Sequence, residues 1–302
     1  MPDPVLTDVA AALRDQHADL GVGPLSLWAR GSEFLVYRAG SPGGDVVVRV
    51  PTATRFSTSN DPDQDTRASL EHEHRLSAHL RGLGFPVPAM LALHLAEDRE
   101  RRDFLVAELV PGDGGPARPV ELGALVRRLH RLPAPPFGLL AEGRTASASA
   151  AANAVVCARL ERRLAALRAR TGQRLTVPLI GAADLGPDPV EPSLLHLDLR
   201  PENVLARGGE VLALIDWSNA LRGHPALDIA RLAEYGNLVD GFLEGYGLDP
   251  FATVSPVTEL VYRLDTAVML AHVFAEHEPN PTRAAVQLAR VGELCAELRR
   301  VA

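Results

Sequence analysis

The stretch from Leu194 to Asp228, LLHLDLRPENVLARGGEVLALIDWSNALRGHPALD, constrains this chain more than any other. Val204-Leu205-Ala206 and Val211 to Ile215 are short strand-forming runs joined around Gly208-Gly209. Two glycines between such runs predict a tight hairpin, because the turns that match strand twist need positive φ at their central positions. That turn sets Arg207 opposite Glu210 and Val204 opposite Ala213, so Asn203 and Asp216 leave the hairpin at the same open end. Asp198 lies just upstream, in a loop that Pro201 keeps out of a helix. Asn203 and Asp216 form a hard-oxygen pair suited to Mg2+, which keeps waters and takes one or two carboxylates beside substrate phosphates. Asp198 is left to accept a proton.

The run His196-x-Asp198-x-x-x-x-Asn203, followed by Ile215-Asp216-Trp217, resembles the aminoglycoside phosphotransferase/choline kinase-like family of small-molecule kinases. The resemblance implies a protein-kinase-like α+β fold of two lobes. It implies Asp198 as catalytic base, Asn203 and Asp216 as holders of magnesium, and transfer of the nucleotide γ-phosphate to a hydroxyl. Such a fold needs a turn over the phosphates, a cation on the third strand and an acid on the next helix. Gly31-Ser32-Glu33 occupies the turn, although the chain has no G-x-G-x-x-G. Val46-Val47-Val48-Arg49-Val50 places a cation on an apolar strand, where charge is costly unless paired, and Glu73 is the expected partner. Arg49 stands where kinases commonly have lysine; its planar guanidinium can bridge phosphate oxygens and Glu73 at once. Glu108-Leu109-Val110-Pro111-Gly112 looks like the hinge that holds adenine through backbone groups. Nothing in these residues separates ATP from GTP.

Asp198-Leu199-Arg200-Pro201-Glu202-Asn203 is also similar to the D-L-K-P-E-N run of protein kinases, with Arg200 in place of the γ-phosphate-contacting lysine. Only 11 residues separate Asp216 from Asp228, however, and no A-P-E follows. That leaves little room for an activation segment, so the expected acceptor is a small-molecule hydroxyl. An antibiotic, aminoglycoside-type or other, and a metabolic alcohol such as choline or homoserine would share every residue named so far, and the fold does not choose between them. Of these, the antibiotic is the favoured expectation. A catalytically inactive nucleotide-binding module is the remaining alternative, against which intact Asp198, Asn203 and Asp216 argue.

Several neighbouring residues have plainer readings. His196 reads as a structural histidine bonding the loop backbone. Asp228 either begins a helix or steadies the catalytic loop. Trp217 and His130 read as packing residues. His72 and His79 share a helix face that His74 does not, which suggests a solvated face and no metal cluster. Glu259, Asp265, Glu276 and Glu278 could receive a cationic acceptor or form an exposed helix face.

Periodicity fills in the rest. The first 20 residues read as an amphipathic helix, with strands near 25–30, 34–39, 46–50, 89–95 and 104–109. Helices are expected near 66–81, 119–131, 151–171, 225–235, 255–276 and 281–300. Residues 57–67 are polar and read as a mobile loop, and the charged run Glu97 to Asp103 as a solvated turn. The Ala/Ser run at 145–154 leads into a helix. The Pro111 to Gly115 break divides a nucleotide-binding lobe, 1–110, from a catalytic and acceptor-binding lobe, 111–302.

Composition removes other chemistries. All 31 basic side chains are arginine, which rules out a P-loop lysine, a lysine Schiff base and Ser-Lys hydrolysis. A net charge of −7 argues against nucleic acid as a partner. Cys157 and Cys295 fit no metal spacing or disulfide framework and read as reduced residues of a cytoplasmic protein. The acidic N-terminus is unlike a signal peptide, and no apolar run approaches a membrane span. Monomer and homodimer are both compatible.

Overall fold

The computed structural model describes residues 4–98, 102–142, 152–172, 175, 180–189 and 191–301. In chain order the elements are α1 (Pro4–Gln16), β1 (Ser26–Arg30), β2 (Phe34–Ala39), β3 (Val46–Pro51), β4 (Arg55–Phe56), β5 (Gln64–Asp65), α2 (Thr66–Gly82), β6 (Met90–His94) and β7 (Phe104–Glu108). They continue with α3 (Pro119–Leu129), α4 (Ala152–Thr171), β8 (Ser193–Leu195), β9 (Val204–Arg207), β10 (Glu210–Leu214), β11 (Leu221–Gly223), α5 (Pro225–Glu234), α6 (Phe242–Tyr246), α7 (Pro256–His272) and α8 (Pro281–Val301). Two compact units result. One comprises Met1–Ser57, Asp63–Pro116 and Val204–Ser218; the other comprises Thr58–Pro62, Ala117–Asn203 and Asn219–Ala302.

The first unit is built on a five-stranded antiparallel sheet of order β1-β2-β3-β7-β6. The period-2 alternation of β3 explains its two faces. Val46, Val48 and Val50 are buried with Leu35, Tyr37 and Val106, against Val9 and Leu13 of α1. Full burial of side chains of this size stabilises by about 1.5–3 kcal/mol each, which is what holds α1 to the sheet. The other face carries Arg49 of β3, and there Phe34 and Leu105 pack on Leu70 of α2. The carboxylate of Asp65 starts α2 by accepting from the backbone N–H groups of Arg67 at 3.0 Å and Ala68 at 3.4 Å.

The hairpin β9–β10 belongs to this unit, so the two units are not separated by one cut at residue 110. Its turn is as expected, with Gly208 at φ 58° and Gly209 at φ 83°, and Arg207 does face Glu210. Further along, the register departs from the expectation. A bulge between Val211 and Ala213 adds one residue to β10, so Val204 faces Leu214, and Ala213 faces Leu205. The segment after β7 clasps the hairpin. Asp113 N–H donates to Ala206 O at 2.9 Å, Gly208 N–H donates to the Asp113 carboxylate at 2.7 Å, and Leu214 N–H donates to Pro86 O at 3.0 Å.

In the second unit α4, α5, α7 and α8 enclose an apolar core that includes Leu160, Leu164, Leu227, Leu264, Val268 and Leu294. The two-stranded pair β8–β11 brackets the loop that carries Asp198. The short helix α6 was not expected from periodicity. It is held by close backbone approach to α3: a Cβ on Gly123 would lie 2.1 Å from Phe242 O, and one on Gly245 1.9 Å from Val120 O. The helix expected to 276 remains α-helical only to His272 and then widens into a π-helical turn, Val273–His277.

Residues 57–67 are not a free loop. Gln64–Asp65 pairs with Arg55–Phe56, Asn60 is buried with its amide donating to Met269 O at 3.1 Å, and Ser59 bonds Glu276. A backbone carbonyl of α7 and the Glu276 carboxylate take up polarity that the sequence alone would leave to water. Residues 99–101 of the charged run, and 145–151 of the Ala/Ser run, lie outside the described residues. Among the described residues no helix is long and apolar enough to cross a membrane.

Candidate active site

In the first unit the β1–β2 turn brings Gly31 N–H to Phe34 O at 2.9 Å, with Gly31 and Ser32 exposed. Arg49 forms an ion pair with Glu73 of α2, and its guanidinium lies 4.7 Å from the centre of the Phe34 ring. The pair is largely withdrawn from water, with side-chain exposures of 18% and 9%. Burial works against the Arg49 charge, but Glu73 and Asp216 outweigh it and hold its pKa above the ordinary value. Burial raises the Glu73 carboxyl, with Arg49 pulling it back and Asp216 adding to the rise. Asp216 is therefore close enough to act on both charges. It adopts φ 64°, a left-handed conformation rare for a non-glycine residue, and accepts from Ser218 Oγ at 2.9 Å. Trp217 beside it is fully buried, edge-on to Phe85, and its carbonyl is bonded by His72 Nε2 at 3.2 Å. His72 is thus buried and structural, not part of a solvated face as its position beside His79 suggested.

At the end of β7 the Glu108 side chain is engaged away from the following segment. Its carboxylate accepts from Ala89 N–H at 3.1 Å and lies 3.5 Å from Arg81.

In the second unit one buried carboxylate organises the catalytic-type loop. Asp228, in the first turn of α5, accepts from His196 N–H and Leu197 N–H, both at 2.8 Å, and from His130 Nε2 at 3.1 Å. Burial opposes its ionisation, but His130, His196 and these bonds outweigh that and hold its carboxyl below the usual range. His224 caps α5 instead, its ring accepting from Ala226 N–H at 3.1 Å. Asp228 therefore steadies the loop. His196 Nδ1 accepts from Asp198 N–H at 3.1 Å, the structural role expected of it. Between them Leu197 is held at φ 59°.

Asp198 is 4% exposed. Its Oδ2 accepts from Asn203 Nδ2 at 2.8 Å, and its Oδ1 accepts from Tyr235 Oη at 3.3 Å. Arg200 Nε lies 3.0 Å from the same Oδ1. Asn203 also donates to Asp198 O at 2.9 Å. Its amide N–H groups are thus committed to Asp198, and the atom Asn203 can offer a cation is its carbonyl Oδ1. That amide oxygen, and in the first unit the Asp216 carboxylate, are each hard-oxygen donors of the kind Mg2+ takes.

A family model described as the phosphotransferase enzyme family matches residues 25–259. The chain belongs to that family. Solved structures agree on the fold. A thermostable mutant of an aminoglycoside phosphotransferase, in ternary complex with AMP-PNP and hygromycin B, aligns with a TM-score of 0.63 at 16% identity, over 95% of this chain and 97% of the other. A choline/ethanolamine kinase family protein from Mesorhizobium loti aligns at 0.54 and 19% identity, over 98% and 97%. An aminoglycoside-3′-phosphotransferase of type VIII aligns at 0.52 and 23%, over 87% and 98%. No curated protein matches the chain. This phosphotransferase therefore has the protein-kinase-like α+β fold that the Asp198-to-Asp216 run implied.

Two residues of this phosphotransferase beside Asp198 escaped the motif reading: Tyr235, which bonds it, and the buried Arg231, whose guanidinium lies 5.9 Å from the Tyr235 ring centre. A signal was available. Asp228, Arg231 and Tyr235 stand at i, i+3 and i+7 in PALDIARLAEY, where Glu234 is the one other charged residue, and residues at that spacing share one helix face. The acids considered for a cationic acceptor also resolve. Asp265 is fully buried and gripped by Arg159 and Arg163, so it is no exposed face.

Proposed function

We propose that this member of the family is an ATP- and Mg2+-dependent O-phosphotransferase acting on a hydroxyl of a small molecule. The observation that carries the reading is Asp198, a carboxylate fixed at one oxygen by Asn203 on a loop whose backbone is pinned by Asp228. A base held this way loses little freedom on reaching the transition state. Asp198 orients the acceptor hydroxyl and takes its proton as that oxygen bonds to the γ-phosphorus. The bond from phosphorus to the β-phosphate oxygen breaks and ADP leaves.

Arg49, kept charged by Glu73, neutralises the α/β-phosphates, and its planar fork suits their oxygens. Gly31 and Ser32 present the turn over the phosphates, and the Glu108–Val110 backbone receives the base. Arg200, released from Asp198, serves the γ-phosphate. Asn203 Oδ1 and Asp216 would hold Mg2+, which supplies charge neutralisation at the β/γ-phosphates. Use of ATP places the protein in the cytoplasm. The relatives of this fold include a hygromycin B complex and a choline/ethanolamine kinase family protein, so an antibiotic and a metabolic alcohol are both represented among acceptors to test.

The test is a panel of hydroxylated antibiotics and metabolites, incubated with ATP and Mg2+ and read by mass spectrometry for gain of one phosphate. Transfer abolished in Asp198→Asn supports the reading. ATP turnover unaffected by that substitution would sink it.

A further inference from the structure

The four acids that could receive a cationic acceptor in the second unit each already meet arginine. Glu259 pairs with Arg263 at 2.9 Å, Glu276 with Arg170 at 2.6 Å, and Glu278 lies 3.9 Å from Arg200. Asp265 takes both nitrogens of the Arg159 fork, at 3.1 and 2.6 Å, and Arg163 at 3.2 Å.

The surplus around Asp198 has the opposite sign. Arg231 is 3% exposed, and its Nε and Nη1 meet no acceptor among the described residues. Burial works against its charge, but Tyr235, to which its side chain bonds, outweighs that together with two carboxylates, Asp198 and Asp265. Both are already engaged: Asp265 by two arginines, and Asp198 by Asn203, Tyr235 and Arg200. Arg159, Arg163 and Arg231 thus set three buried guanidinium groups against two buried carboxylates, one of them shared with Arg200. The imbalance is felt within the cluster. Burial, with Arg159 and Arg231 nearby, pushes Arg163 down to about 10 despite Asp265 and Asp61. A buried guanidinium with unused donors is costly until an acceptor reaches it.

We propose that the acceptor is a hydroxylated small molecule bearing an oxyanion, typified by a carboxylate, that this oxyanion is received by Arg231 beside Asp198, and that the acceptor is not a polycation. The assignment rests on the phosphotransferase reading of Asp198. A charge-assisted bond from either free Arg231 nitrogen suits one oxygen of a carboxylate, and a hydroxyl on the same small molecule falls within the neighbourhood of the base.

The experiment uses the full chain and two probes of one shape: 3-hydroxypropanoate and its neutral amide, 3-hydroxypropanamide. Each is titrated at constant ionic strength by calorimetry and ligand-observed NMR, with ATP binding and turnover measured on the same samples. The acid is expected to bind about 10-fold or more tightly than the amide, the ratio expected for a charge-assisted bond. Arg231→Gln loses that preference and Arg231→Lys keeps part of it. Should Arg231→Gln fail to fold, the wild-type acid-to-amide ratio and Arg231→Lys decide. Absence of saturable acid binding, equal affinity for the two probes, a preference unchanged in a folded Arg231→Gln, or tighter binding of hygromycin B than of the acid would each overturn the proposal. Acid preference without ATP binding overturns the phosphotransferase reading and leaves the oxyanion site. ATP turnover dependent on Asp198 without acid preference overturns the oxyanion site alone.

Discussion

Replacing Asp228 by asparagine keeps shape and removes one charge, which makes it a sharp probe of how the loop before Asp198 is held. In the native protein one oxygen accepts from Leu197 N–H and the other from His196 N–H and His130 Nε2. An asparagine amide has one oxygen and one NH2. Whichever way it turns, NH2 faces a backbone N–H, and at least one buried donor loses its acceptor. That loss costs about 1–3 kcal/mol, and removing the charge partner of a buried network brings the total to about 3 kcal/mol or more. Leu197, at φ 59°, adds to the case, because a left-handed non-glycine residue holds only while its surroundings insist on it.

At about 2–4 °C per kcal/mol for a domain of this size, the variant should melt about 6–12 °C lower at pH 7. Differential scanning calorimetry measures this directly, and steady-state turnover follows in parallel, with kcat falling about 10²-fold as the loop loses its register. The pH dependence provides a second check. The Asp228 carboxyl is held below its unfolded value, so its stabilisation is complete above about pH 4 and is lost as pH falls through the folded-state pKa. The gap between wild type and variant should therefore narrow below about pH 4. A melting temperature within 1 °C of wild type, on the scale of a few tenths of a kcal/mol, would refute the clamp.

Other substitutions separate the remaining roles. Asp198→Asn should lower kcat by about 10²-fold or more while leaving ATP affinity nearly unchanged by calorimetry, since its work is done in the transition state. Asp216→Ala should abolish Mg2+-dependent turnover and weaken Mg·ATP binding; unchanged affinity would remove Asp216 as a ligand. Arg49→Lys should bind ATP more weakly than wild type and more tightly than Arg49→Met, and equal affinity in all three would take Arg49 out of the site. Arg49→Met also strands Glu73 in a buried position. Its folded-state pKa, already raised by burial, rises further, so the variant should lose stability as pH increases above the ordinary carboxylate range, followed by thermal melts.

Much of this architecture was legible because it is local. The Gly208-Gly209 turn, the valine alternation around Arg49 and the helix of Glu73 are each decided within a few residues, by φ requirements, pleat or periodicity. The register error in the hairpin marks where that reasoning stops. A bulge between Val211 and Ala213 depends on what the two strands pack against, which adjacent residues do not encode. The same holds for residues 57–67, which look fit only for water until α7 supplies Met269 O for Asn60. The helix α6 was invisible for a related reason: five residues carry almost no periodic signal, and its position depends on two glycines from distant parts of the chain.

The second ring of residues around Asp198 lay between these extremes. Asp228 and Arg231 of α5, with Tyr235 just after it, are spaced for one helix face, and a polar face beside the Ala, Leu and Ile residues of this helix has two physical outcomes. It can face water, or it can be buried with its polar atoms matched. Here it is buried, and the matching is uneven in a directed way. Asp228 is saturated by the loop backbone and His130, Tyr235 is spent on Asp198, and Arg231 alone keeps donors that no described residue uses. A face arranged for stability alone would have spent all three. The residue left over stands beside the base, where a molecule that enters only to react would supply the missing acceptor.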